Sequence, residues 1–233
     1  MFNTNISFYS LAILLSLAIN IVVVSIISKK YSYNKIELLS LLMYENTGII
    51  IGAKVFTFIE NFNQLNDDFD FINISLTSYG AVIGAILFLF LFAILFKKNI
   101  KELLYIFTPP IPLMYAIGKI GCFIVGCCHG IKYNGIFKVQ YKYSPIAPNN
   151  TDLFPIQITE TIVFLLIFIY MYRNTKNNNF NLNILGKSTI YCGISKFLLD
   201  FLRYSHTNII LSNNQLISII IIIIGIILVK KNK

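Results

Sequence analysis

Charge is what this sequence lacks. Only 12% of its 233 residues are charged, where an ordinary globular domain carries about 25%. With 56% apolar residues and a mean hydropathy of +0.72, this deficit argues against a water-soluble domain and for a chain solvated by lipid. The net charge of +9 would suggest nucleic acid in a soluble protein. Here the basic residues fall in short clusters between apolar runs, so they read as topology signals, and no nucleic-acid partner is expected. The opening MFNTNISFYS lacks both a positive start and a small-residue cleavage site. It does not read as a signal peptide, and the first apolar run is expected to stay as an anchor. The usual redox spacing C-x-x-C is missing. Internal repeats are missing too, which argues against a solute transporter built from repeated, broken spans.

What is present is a series of long apolar runs. A helix needs about 20 apolar residues to cross a bilayer. Seven segments approach that length, at roughly 8–28, 38–59, 79–96, 103–127, 156–172, 184–203 and 213–229. The expected fold is an all-α integral membrane protein of about seven transmembrane helices, forming one polytopic domain over residues 1–233. Lys29, Lys30 and Lys35 follow the first span, and Lys97, Lys98 and Lys101 the third. Arg173, Lys176 and Lys187 follow the fifth, and Lys230, Lys231 and Lys233 the seventh. Asp67, Asp68 and Asp70 follow the second. Positive charge on alternate loops places the N-terminus outside and the C-terminus in the cytoplasm. The loop at about 131–155, with Lys132, Lys138 and Lys142, is then external. It either lies on anionic headgroups or is simply solvated.

Ionisable groups at membrane depth are costly, so each is by default a functional candidate. Lys196, Asp200 and Arg203 are spaced i, i+4, i+7 and would share one helix face. Two cations flanking one carboxylate leave a positive patch suited to a phosphate. The plainer reading has Arg203 snorkelling to the interface while Lys196 pairs with Asp200. Lys54 and Lys119 add cations from two more spans, and Gln157 with Glu160 opens the fifth. An anion site between helices accounts for them economically.

The stretch GKIGCFIVGCCHG, residues 118–130, holds Cys122, Cys127, Cys128 and His129. These are donors that zinc or copper accept. The spacing is nonstandard, adjacent cysteines rarely ligate one ion without strain, and no C-x-x-C pair completes the set, so no metal and no cofactor are expected. Cys122 reads either as a weak donor or as a small buried hydrophobe. His129 reads either as a general base or as an interfacial hydrogen-bonding group.

The order of these blocks resembles the prolipoprotein diacylglyceryl transferases of bacterial inner membranes, a family with seven spans and an external N-terminus. Its signature G-R-x-G-N-F-x-N-x-E-x-x-G is met here by GKIGCFIVGCCHG, with Gly118, Gly121, Phe123, Gly126 and Gly130 in step. GIIIGAKVF, SYGAVIGA, FPIQITE, GKSTIYCGISKFLLDFLR and LSNNQLISI resemble other family blocks, in the family's order. ISFYSLAI resembles the opening tyrosine motif, with Tyr9 in its place. Lysines 54, 119 and 196 stand where the family carries arginine. Cys122 replaces an asparagine, Cys127 a glutamate and Tyr79 a histidine, and Asp200 shortens an acidic residue.

The resemblance implies a transferase of the inner membrane that moves the diacylglyceryl group of phosphatidylglycerol to the lipobox cysteine thiol of a preprolipoprotein. It implies that Lys119, Lys196 and Arg203 hold the phosphate while Asp200 and Glu160 position them. Lys119 doubles as a candidate base, with Tyr79 and His129 as the others. Tyr9, Lys54, Cys122, Gly130 and Gln157 are implied on the substrate-binding side. Arginine-to-lysine exchange keeps charge but loses the bidentate fork. The alternative is a non-catalytic membrane protein that binds anionic lipid in the same pocket.

Overall fold

Apolar runs bounded by asparagine, serine, proline and glycine fold as helices in the computed structural model, which describes residues 8–31, 33–60, 62, 77–177, 181–206 and 210–231. The acidic stretch Asp67, Asp68 and Asp70 lies outside the described residues. The helices are α1 (Phe8–Ser28), α2 (Lys35–Glu60), α3 (Ser78–Leu95), α4 (Ile100–Phe107), α5 (Pro110–Val125), α6 (Ile156–Asn177), α7 (Leu182–Asp200) and α8 (Asn213–Lys230). Among the described residues, six candidate spans are long and apolar enough to cross a membrane, with α4 and α5 counted together. The seventh, α7, has 19 residues and carries Lys187, Lys196 and Asp200. Leu11, Leu87 and Ile220 are each more than half exposed, and outward apolar side chains of this kind suit lipid as solvent. The protein is multi-pass and all-helical.

Local chemistry sets the ends. The Asn99 side chain accepts from Lys101 N at 3.0 Å to start α4. Asn181 accepts from Asn183 N at 2.8 Å to start α7. Ser212 and Gln215 form a reciprocal capping box at α8. The fourth expected span is not one continuous helix. It breaks at Thr108–Pro109, and Pro110 takes the first turn of α5, where its missing N–H costs nothing. α5 then stops at Gly126, whose φ of 83° is left-handed and whose N–H bonds Cys122 O at 2.9 Å.

The chain divides into two compact units. The unit of residues 21–108 is organised by the α2–α3 hairpin. A Cβ on Gly48 would lie 2.6 Å from Gly84 O, and one on Gly84 would lie 2.7 Å from Gly52 Cα. Small residues let these backbones approach closely, as membrane helices do. Tyr44, Phe92 and Phe96 stack beside them.

The other unit comprises residues 1–20 and 109–233. Here α5 packs on α6, α6 on α7 and α7 on α8. Ala116, Phe164, Ile167 and Met171 form its buried apolar cluster. A Cβ on Gly186 would lie 2.7 Å from Gly225 O, so α7 and α8 also touch backbone to backbone. Between α5 and α6 the chain runs as turns with isolated bridges, pairing Lys132 and Val139 with Leu153 and Tyr141 with Asn149.

Candidate functional site

Glu160 lies one turn into α6 and is fully buried. Such a carboxylate is tolerable only if paired, and three cations reach it. Lys119 Nζ from α5 sits 2.9 Å from Oε2. Lys196 Nζ from α7 sits 3.7 Å from Oε1. The Arg203 guanidinium donates to Oε1 as well. All three cations are themselves buried. Three basic side chains face this carboxylate, and with Asp200 3.9 Å from Arg203 as the second acid, the basic groups outnumber the acidic ones by one.

Tyr115 sits at the centre of this group. Its hydroxyl donates to Glu160 Oε1 at 2.8 Å and accepts from Lys196 Nζ and, at 3.0 Å, from Arg203. Its ring lies under both lysines, with Nζ to centroid distances of 5.2 Å for Lys119 and 4.4 Å for Lys196. Phe164 holds the other side of the ring at 4.4 Å between centroids. Sequence reading passed over Tyr115, although it stands four residues before Lys119 on the same helix face.

Asp200 does not complete a simple triad with Lys196. Ser212 donates to one of its oxygens and Asn214 to the other at 3.1 Å. His206 Nδ1 lies 3.6 Å away and Arg203 Nε 3.9 Å away. Asp200 therefore fastens the start of α8 to the end of α7. Lys196 turns to Tyr115 and Glu160 instead.

The expectation that Lys196, Asp200 and Arg203 share one helix face needs correction. α7 ends at Asp200, and Arg203 lies past the helix in a turn. It neither continues the helix nor snorkels outward, because its main chain bridges Gly130. Ile131 N bonds Leu202 O at 3.1 Å and Tyr204 N bonds His129 O at 3.2 Å, completing the strap. A Cβ on Gly130 would press on Phe154 O and Leu202 O, which is why glycine stands there. Arg203 Nε is buried and makes no hydrogen bond among the described residues.

The remaining candidates fall in two groups. Gln157, fully buried, donates to Cys127 O at 2.9 Å and to Tyr141 Oη at 3.4 Å. Burial pushes the Tyr141 phenol up to about 12, so it stays a neutral hydroxyl. Tyr9 on α1 packs on Gly121, with Tyr9 Cα 3.4 Å from where a Cβ would stand. It lies within electrostatic range of Lys119 and the three thiols. Cys122 is buried and Cys128 exposed. His129 stacks on Tyr204 at 5.0 Å between centroids, with Nδ1 3.2 Å from Gly130 O. Lys54 on α2 and Tyr79 on α3, both half-buried, belong to the other unit.

The family model described as prolipoprotein diacylglyceryl transferase matches residues 1–230. The chain belongs to that family. It is 28% identical over 97% of its length to a phosphatidylglycerol–prolipoprotein diacylglyceryl transferase of Clostridium tetani, covering 93% of that protein. It is 30% identical over its full length to the transferase of Finegoldia magna, again covering 93%. It is 30% identical over 86% of its length to transferase 2 of Clostridium perfringens, covering 81% of it. Membership in this transferase family places the buried cations of α5, α7 and the strap on the same chain as a lipid-modifying function.

Proposed function

We propose that this chain is a phosphatidylglycerol–prolipoprotein diacylglyceryl transferase of the bacterial inner membrane. The observation that carries this reading is the convergence of Lys119, Lys196 and Arg203 on the single carboxylate of Glu160. A surplus of positive charge at membrane depth is stable only with an anionic partner. The phosphodiester of phosphatidylglycerol supplies one, and it brings the glyceryl carbon with it.

The reaction forms one bond and breaks one. The acceptor cysteine loses its proton, since the thiolate is the nucleophile. It attacks the diacylglyceryl carbon bound to phosphate oxygen, a thioether C–S bond forms, and the C–O bond breaks with its electron pair on oxygen. Glycerol phosphate leaves, its charge met by Lys119, Lys196 and Arg203. Glu160 and Tyr115 hold the three cations in place before substrate arrives. Asp200 acts at one remove, fixing the turn from which Arg203 reaches inward. Lys119 is the first candidate for the base, with Tyr79 and His129 behind it. Tyr9, Lys54, Cys122, Gly130 and Gln157 are assigned to shaping the substrate site. The chain works as one polytopic domain with its N-terminus outside and its C-terminus in the cytoplasm, which puts the loop at 131–155 on the side where preprolipoproteins emerge.

The test is transfer of labelled diacylglycerol from phosphatidylglycerol to a lipobox peptide by purified protein. Transfer by the parent, and its loss in Lys119→Ala, supports the assignment. Phosphatidylglycerol binding without transfer, in protein that is folded and monodisperse, would replace it with the non-catalytic lipid-binding alternative.

A further inference from the structure

Three thiols meet beside the anion site. The sulfur atoms of Cys122, Cys127 and Cys128 all lie within 4.8 Å of one another, and each cysteine is free of disulfide. The sequence spacing argued against one ion holding adjacent cysteines. The backbone removes that objection. Gly126 has φ 83° and Cys128 has φ 52°, so left-handed residues stand on both sides of Cys127 and fold the chain back over the end of α5. Gln157 holds the turn by its bond to Cys127 O. Consecutive cysteines thereby face one centre, together with Cys122 from the helix.

The donor set selects the ion. Three thiolates are soft ligands, suited to zinc or monovalent copper and poor for magnesium or calcium, which want oxygen. Tetrahedral zinc with bonds of about 2.3 Å needs sulfurs about 3.8 Å apart, so closure by roughly 1 Å completes the site. Three thiolates around a divalent ion carry one net negative charge. Lys119, one turn before Cys122 on α5, brings positive charge toward it. Cys128 is exposed, which gives an ion a way in. His129 takes no part, as its ring is turned onto Tyr204.

We propose that Cys122, Cys127 and Cys128 form a three-thiolate site for a thiophilic ion of the zinc class, with its fourth position open to a small ligand. A thiol entering that position is deprotonated outright. It would remain as bound thiolate, its S–H proton passing by way of the displaced water to solvent. Resting on the transferase reading, the thiol that fits is the acceptor cysteine, which must be a thiolate to react. The site then supplies activation in place of a side-chain base.

The experiment uses full-length protein in detergent, reduced with a phosphine, desalted without oxygen, and given one equivalent of zinc or cobalt(II). Expected are one metal per chain by elemental analysis and a near-ultraviolet thiolate-to-cobalt absorption band. Zinc should also protect Cys127 and Cys128 of the unaltered protein from alkylation, which needs no variant to fold. Cys122→Ser, Cys127→Ser and Cys128→Ser each lose the band; Cys192→Ser keeps it. Reduced parent protein that retains no metal, or a cobalt band that survives removal of all three thiols, overturns the site. The binding readouts are independent of transfer: metal-free protein that transfers as fast as loaded protein overturns the thiol-activating role, and metal-loaded protein that never transfers ends the transferase reading alone.

Discussion

Tyr115 on α5 donates its hydroxyl to Glu160 on α6 at 2.8 Å and accepts from both Lys196 and Arg203. One oxygen thus links two cations to the carboxylate that neutralises them. Tyr115→Phe removes that oxygen and leaves the ring on Phe164. A hydrogen bond to a charged group is worth about 1.5–3 kcal/mol, so transfer should fall roughly ten- to hundredfold. Detergent-solubilised yield should stay near the parent's, while the unfolding temperature should fall by several degrees. The measurement is initial transfer rate beside a thermal melt.

Glu160→Gln should act on stability first. It strands three buried cations, and breaking a buried pair costs about 3–5 kcal/mol. Adding Lys119→Met to Glu160→Gln should restore part of the loss, because the two groups are 2.9 Å apart and therefore coupled. Denaturant unfolding in a fixed detergent reads both changes. Additive losses would show that the pair does not interact.

Arg203→Lys keeps the charge and loses the fork. If Arg203 grips phosphate, KM for phosphatidylglycerol should rise about tenfold, which is about 1.4 kcal/mol of binding. A fall in kcat at unchanged KM would place Arg203 in the chemistry of departure rather than in lipid capture.

The α2–α3 crossing leaves no room for a side chain. Gly84→Val drives methyl groups into the α2 backbone at Gly48 and Gly52, and overpacking of this kind costs about 1–3 kcal/mol. Gly118→Ala is the comparison, since a Cβ there meets nothing within 4 Å. Thermal melts should separate the two clearly.

The loop after α5 carries a pH-sensitive tie. Lys138 sits 2.6 Å from Asp152, and Gln140 donates to its other oxygen. These bonds hold the Asp152 carboxyl below its ordinary range. A lowered folded-state value means the contribution is present above the unfolded carboxylate value near 3.9 and is lost as pH falls through the folded one. Protease sensitivity of residues 131–155 should therefore rise on acidification below about pH 4. In Asp152→Asn it should be raised already at neutral pH and change little with acid.

Hydropathy located the spans because lipid imposes a length and excludes charge, and both are written locally. The break before Pro110 was not drawn from the sequence, where 103–127 reads as one span, although a run of prolines interrupts a helix. Glu160, Lys119 and Lys196 were visible as charges in apolar sequence. Tyr115 was not, since a tyrosine in a greasy helix is unexceptional until its hydroxyl is seen among charges. Arg203 was found but put on the wrong element. Helical spacing ran on through it, while the main-chain bridge to Gly130, 73 positions earlier in the numbering, decides where it goes. The three thiols looked ill-spaced because linear distance conceals two left-handed turns.

That bridge has a further implication. The guanidinium that touches Glu160 is carried by a piece of polypeptide laced to the segment following α5, and the same segment bears the Cys127 and Cys128 sulfurs. A protein substrate that displaces the lacing from the aqueous side would shift charge at the buried carboxylate without entering the lipid. Arrival of one reactant would thereby be sensed where the other is held.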